Sequence, residues 1–378
     1  MADNYTKVTT TSWGSRLGSS IKGILFGLLL FVVAFPVLFW NEGRSVKRYK
    51  TLKEGRGIVV SVAADKIDPA NEGKLVHLSG TMTTESTITD PEFNVTVQAL
   101  KLIRTVEMYQ WVEEKKTETK KKVGGGSEET TTYSYKKDWS TSVIDSSKFD
   151  TTDGHENPTS MPYESGSEIA SNVTLGAFTV PARIVEGLHN SEKYDVGDKN
   201  RPQGLKPFNG GYYEGYNPNS PVIGDVRITF EIVKPHDVTL ISGQVGQSFA
   251  PYKAKYGELE LLKQGTLTAD QMFTAAEKEN KMMTWFLRIL GFVIMFAGLS
   301  MVLKPISVVL DVLPILGNIA QIGIGIVAFL IALPLSLITI AIAWLYYRPV
   351  LAIILLAISG AAIYWLVMLK KKNTVTTA

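Results

Sequence analysis

The chain has 378 residues, 45% hydrophobic and 20% charged, and a formal net charge of +3. It contains no cysteine, which excludes a disulfide framework, a thiolate zinc cluster and a thiol nucleophile. So small a net charge leaves no general electrostatic footprint for nucleic acid. An apolar fraction this high beside so much charge implies two unlike parts, one for lipid and one for water.

Residues 1–19 read as a short cytoplasmic segment carrying Lys7 and Arg16. Ile24 to Trp40, "ILFGLLLFVVAFPVLFW", holds no charge. Extended to Ser20, with Lys22 snorkelling, it predicts a transmembrane helix over 20–40 that crosses a core of about 30 Å. It ends in bulky residues without a small-x-small cleavage pattern, so a retained anchor is expected and not a signal peptide. Ser15, Ser19, Gly23 and Gly27 lie four apart, which makes Ser19, Gly23 and Gly27 candidates for helix packing.

Residues 41–267 hold most of the polar sequence. "KLVHLSGTMT", "RTVEMYQWVE", "DVRITFEIV" and "DVTLISGQVG" alternate at period two and are bounded by turn formers, which predicts a β-rich domain. "LVHLSG" and "VTLISG" resemble each other. In "VEMYQWVEEKKTETKKKVGGGSEETTTYSYKKDW" one face carries Met108, Gln110 and Val112, and the other Tyr109, Trp111 and Glu113. A hairpin turning at "VGGGS" is predicted, with cross-strand pairs contributing about 0.2–1 kcal/mol each. Its acids nearly neutralise its lysines, which disfavours a nucleic-acid surface. Tyr109, Trp111, Tyr133, Tyr135 and Trp139 are candidate contacts for a second subunit or a partner, and their faces could equally cover this domain's own core.

Thr268 and Gln271 are spaced as a capping box, and a helix over 268–303 is expected to run into a second span, Trp285–Leu303. Arg288 lies close enough to its start to snorkel. Residues 304–317, "KPISVVLDVLPILG", are too short to cross. Val308, Val309, Val312 and Leu316 recur at helical spacing, with Asp311 as the polar exception, so an interfacial helix is expected, or else a re-entrant segment. From Leu313 to Leu369 the one charge is Arg348. That stretch fits two spans, 318–347 and 349–369, meeting at Tyr346, Tyr347 and Arg348 as an interface anchor. In the last span Ala357, Gly360 and Ala361 repeat the small-residue spacing. Four spans, with "KKK" in the tail at 370–378, would put both termini in the cytosol and the large domain outside it.

No catalytic constellation is legible. His77, His155, His189 and His236 show no metal spacing. Asp150, Asp153, His155 and Glu156 in "DTTDGHENP" lack the ligand alternation of a calcium loop and read as turn chemistry. There is no GxSxG elbow or P-loop. No cofactor or metal is expected, and the chain reads as no enzyme.

At these residues the chain resembles the LUMA, or transmembrane protein 43, family. The resemblance rests on "NEGR" after the first span, "NEGKLVHLSG", "VEMYQWVEE", "YSYKKDW", "FDTTDGHENP", "IGDVRITF" and the "WLYYRP" turn. It implies an integral membrane α-helical bundle of four spans with a large β-rich (α+β) extracytoplasmic domain inserted between spans one and two, and self-association. In animals the family is placed in the endoplasmic reticulum and inner nuclear membrane, with lamina-linked nuclear-envelope partners. In bacteria the domain would face the periplasm from the inner membrane. The absence of cysteine and the divergent ends favour a bacterial source, to which nuclear-envelope partners do not carry over.

The expected function is a non-enzymatic membrane scaffold, a homo-oligomer in contact with membrane lipid, joined through strand edges and the aromatic hairpin. A channel or transporter component is the alternative from another class, and a receptor-like domain binding an unlike partner is a third. Charges inside spans usually mark conduction pathways, and here Arg288, Lys304, Asp311 and Arg348 all lie near span boundaries.

Overall fold

The computed structural model describes residues 3–198 and 200–350. They divide into a β-rich unit and a helical unit. The β-rich unit comprises the N-terminal residues to Thr9, Glu54–Glu118 and Thr130–Thr274; the helical unit comprises Thr10–Lys53, Thr119–Glu129 and the described residues from Ala275.

In the β-rich unit, each predicted alternating run is a strand. We label β1 (Asp3–Thr11), β2 (Leu75–Thr84), β3 (Lys101–Lys121), β4 (Ser127–Ser140), β5 (Gly211–Glu214), β6 (Val226–Val233) and β7 (His236–Val245). An eight-stranded sheet has the order β1-β4-β3-β6-β5 and ends on Lys206–Phe208. Val226, Ile228, Phe230 and Ile232 of β6 are buried, and Ile228 stands opposite Val106 of β3, as period-two pleating requires. A seven-stranded sheet pairs β2 with β7, Leu78 opposite Leu240, so the two similar sequences "LVHLSG" and "VTLISG" are neighbours. Phe93, fully buried, lies 5.0 Å from Tyr163 and 5.8 Å from Phe230 between ring centroids. His77 is bonded at both nitrogens, to Ser61 Oγ at 3.1 Å and Leu267 O at 2.9 Å, a structural role. A short helix, α2 (Ala182–Glu186), completes this unit.

The N-terminal segment, expected as a separate cytoplasmic stretch, supplies β1. Its run "TKVTTT" is β-branched and threonine-rich, which suits a strand. Tyr5 packs on Tyr133 at 6.4 Å and the Lys7 ammonium donates to Asp150 at 2.8 Å.

The long helices are α1 (Trp13–Ile58), α3 (Ala269–Leu310) and α4 (Pro314–Tyr347), each long and apolar enough to cross a membrane. The expected capping box forms: Thr268 N–H donates to Gln271 Oε1 at 2.8 Å and Gln271 N–H to Thr268 Oγ1 at 3.2 Å. Segment 304–317 has no helix of its own. Instead α3 continues through Pro305 to Leu310, and α4 starts at Pro314 after a three-residue break, because Pro is well suited to a first helical turn. Apart from its first residues, the expected fourth span lies outside the described residues, as do Ala357, Gly360 and Ala361.

Of the predicted small-residue stripe, Gly27 is the close contact. A Cβ there would lie 2.7 Å from Met301 Cβ and 2.8 Å from Gly298 O, whereas Gly23 faces open space. Ser19 is exposed, and its hydroxyl donates to Arg16 O at 2.9 Å. Small residues let helix backbones approach in lipid, where packing replaces the hydrophobic effect. Gly27→Leu should therefore destabilise the helices by about 1–3 kcal/mol, while Gly23→Leu is tolerated. Thermal unfolding of both variants in lipid discs checks this.

Candidate functional site

The charges of the helical unit gather into two clusters. The first is built on "NEGR", and each of its four residues has a distinct task. Asn41 Nδ2 donates to Thr284 O at 3.0 Å, tying α1 to α3. Glu42, fully buried, accepts two bonds from Arg288, at 2.6 and 2.9 Å, and a third from Trp344 Nε1 at 2.8 Å. Gly43 leaves room for the Tyr347 ring, which a Cβ would approach to 2.5 Å. Arg44 donates to Asn280 Oδ1 at 3.2 Å and Thr284 Oγ1 at 3.2 Å.

The Arg288 guanidinium also lies 4.8 Å from the Trp285 ring and 5.7 Å from the Trp344 ring. A charge flanked by aromatic faces and held in a bidentate fork is strongly fixed. Sequence reasoning had Arg288 snorkelling to the interface; the structure turns it inward onto Glu42. The predicted anchor divides. Tyr346 and Tyr347 lie 5.7 and 5.3 Å from Phe39, and Arg348 caps the C-terminus of α4 through its own N–H to Trp344 O. The missed partner was Trp344, whose signal was an indole N–H two residues before the tyrosine pair.

The second cluster centres on Asp311, 1% exposed. Its carboxylate pairs with Arg16 of α1 at 2.5 Å and with Lys121, near the hairpin tip, at 2.7 Å. Around it Trp13 Nε1 donates to Val308 O at 2.8 Å, Arg16 to Gly125 O at 2.5 Å, and Gly124 N–H to Val312 O at 3.0 Å. Gly124 and Gly125 both adopt positive φ, and a Cβ on Gly125 would lie 2.2 Å from the Trp13 ring. The "VGGGS" turn is thus glycine for conformation and for space.

The aromatic candidates lie in the β-rich unit, where the "DTTDGHENP" loop meets them. His155 stacks on Tyr135 at 3.9 Å and edge-on to Trp111 at 4.7 Å. Asn157 pairs with both backbone groups of Trp111, accepting its N–H at 2.7 Å and donating to its carbonyl at 2.9 Å. Tyr135 OH donates to Glu113 at 2.8 Å; burial, then this bond to a carboxylate, pushes the phenol pKa up. Trp139 lies 5.1 Å from Tyr109 and under Arg227 at 4.5 Å, and Tyr133 is buried beside Tyr5. These rings therefore already have partners within the chain. Among the described residues no cluster of His, Cys, Asp and Glu could hold a metal ion.

A family model described as transmembrane protein 43 matches residues 108–349. Transmembrane protein 43 of Mus musculus is 35% identical over 350 residues, 89% of this chain and 87% of the relative. The human protein of that name is 33% identical over 367 residues, 93% of this chain and 92% of the relative. The chain belongs to the transmembrane protein 43 family. The Drosophila melanogaster homolog is 30% identical over 353 residues, 90% of this chain and 93% of the relative. No solved structure matches. The family segment takes in Arg288, Asp311 and Trp344, and the "NEGR" that completes the first cluster lies before it.

Removing one partner of a buried pair strands the other charge. Glu42→Ala should cost about 3–5 kcal/mol, and Glu42→Leu with Arg288→Met should recover most of that loss. Thermal unfolding of the single and double variants in lipid discs reads the difference.

Proposed function

We propose that the chain is a non-enzymatic membrane scaffold that self-assembles through its β-rich unit. The observation that carries this reading is β1. It is the terminal strand of the eight-stranded sheet, and its residues from Asn4 to Thr10 are exposed. An edge strand presents unpaired N–H and C=O groups that template a further strand. The usual blocking devices are weak in β1: it contains no proline, and its one lysine is turned onto Asp150. The aromatic faces of the hairpin are covered by the chain's own loop, which shifts the contact from those rings to the edge.

On this reading the three long helices hold each subunit in the bilayer while edges join neighbours. The charges of the described helices lie near the ends of their apolar runs, which favours scaffolding over conduction within one subunit.

Particle mass in native-like lipid discs tests the proposal. The chain should run as a discrete oligomer, and Val8→Pro with Thr9→Pro should reduce it to smaller, still inserted particles. An unchanged mass removes the edge mechanism, and a monomeric parent removes self-assembly.

The tie that seats β1 also predicts a pH dependence. Lys7, chiefly by hydrogen bonding, holds the Asp150 carboxyl below the usual carboxylate range, and Asp150 raises Lys7. A carboxylate depressed on folding contributes stability above its unfolded value, about 3.9, and that contribution is lost as pH falls through the folded value. Hydrogen exchange should show β1 protected at neutral pH and loosened in acid, and Asp150→Asn should remove that dependence.

A further inference from the structure

Between α3 and α4 the helical unit has a half-open cleft of about 1110 Å³. Along α3 it is lined by Ala297, Ser300, Met301 and Lys304, then by Asp311 just past its end, and along α4 by Gln321, Ile324 and Gly325. Both sets recur every three or four residues, so each is a single helical face. Arg16, Lys120 and Lys121 complete the wall.

The cleft is chemically two-ended. Its half at Ala297, Met301, Ile324 and Gly325 is apolar. Its other half carries four cations against the single carboxylate of Asp311, and that carboxylate is already shared by Arg16 and Lys121. Lys304 has no acidic partner among the described residues. Ser300 lies about one turn from Lys304 towards the apolar half, about 6 Å along the axis. Its hydroxyl oxygen is buried without a hydrogen-bond partner among the described residues.

We propose that this cleft binds one anionic phospholipid. Lys120 and Lys304, with the unspent charge of Arg16 and Lys121, hold the phosphate. The Ser300 hydroxyl donates to a glycerol ester oxygen, and an acyl chain lies along Met301, Ile324 and Gly325. A free inorganic anion would satisfy the cations and leave the apolar half empty. Basic pockets between membrane helices have the charge complementarity for anionic headgroups, each lysine strengthening the attraction.

The test uses the full chain, delipidated and returned to phosphatidylcholine. Thermal midpoint and bound lipid, by native mass spectrometry, are recorded with added phosphatidylglycerol, added phosphatidylcholine or inorganic phosphate. Phosphatidylglycerol alone should bind at about one per chain and raise the midpoint. Lys120→Gln with Lys304→Gln should weaken its preference over phosphatidylcholine by roughly tenfold or more, and Lys253→Gln in the β-rich unit should not. Gly325→Trp should expel it, because a Cβ at Gly325 meets nothing within 4 Å and the indole fills the cleft. Both variants should keep the parent midpoint in pure phosphatidylcholine. A variant that loses this midpoint is replaced by Lys304→Gln alone, read by bound lipid. Equal retention of both lipids, protection by phosphate matching that by phosphatidylglycerol, or undiminished phosphatidylglycerol binding by Gly325→Trp would each overturn the proposal.

Discussion

The helical unit depends on one pairing, the buried Glu42 carboxylate against the Arg288 guanidinium. A charge near the hydrocarbon core is costly unless it is paired or reaches the interface. Glu42 is too short to snorkel. Its position on α1 thus obliges α3 to bring an arginine beside it and α4 to bring the Trp344 N–H. Three helices distant in sequence are placed by that one requirement, and Asn41, Gly43 and Arg44 follow as its neighbours on the same turn. Asp311 does the same work among its own neighbours, collecting Arg16 from α1 and Lys121 from beside the hairpin tip. Between the two clusters the contacts are apolar and close, as at Gly27 and Gly298.

The two clusters differ in what surrounds their carboxylates, and that difference separates their roles. At Glu42 every charged or polar atom of the carboxylate is met by α3 or α4, so the site is closed and structural. At Asp311 the cations outnumber the acids and a cleft opens beside them. A closed ion pair holds helices together; an excess of charge beside an apolar cleft invites an amphiphile. The β-rich unit shows a similar contrast. In its aromatic hairpin Trp111 and Tyr135 are met by His155 and Asn157 of its own loop, while β1 leaves a backbone edge open.

Much of this was legible in the residues. Period-two alternation marked β2, β3, β6 and β7, because pleating alone sorts such runs into an inner and an outer face. The Thr268–Gln271 spacing marked the start of α3 because a capping box is satisfied within one turn. Length and lack of charge marked the three long helices. The same reasoning assigned Arg288 to snorkelling and left the tyrosines and tryptophans of the hairpin open between the domain's own core and a neighbouring subunit. A single sequence shows that a side chain needs a neighbour but does not say which neighbour arrives.

The sequence by itself determined the apolar runs, the strand periodicity and the glycine turn at the hairpin tip, since these follow from local sterics and from solvation of each segment. Only the tertiary structure decided that Glu42 meets Arg288, that Asp311 bridges Arg16 and Lys121, that β1 joins the edge of β4, and that His155 stacks on Tyr135. These are contacts between residues far apart in the chain. Their geometry comes from packing whole elements, where burial selects among many chemically adequate partners the one that the backbone can reach.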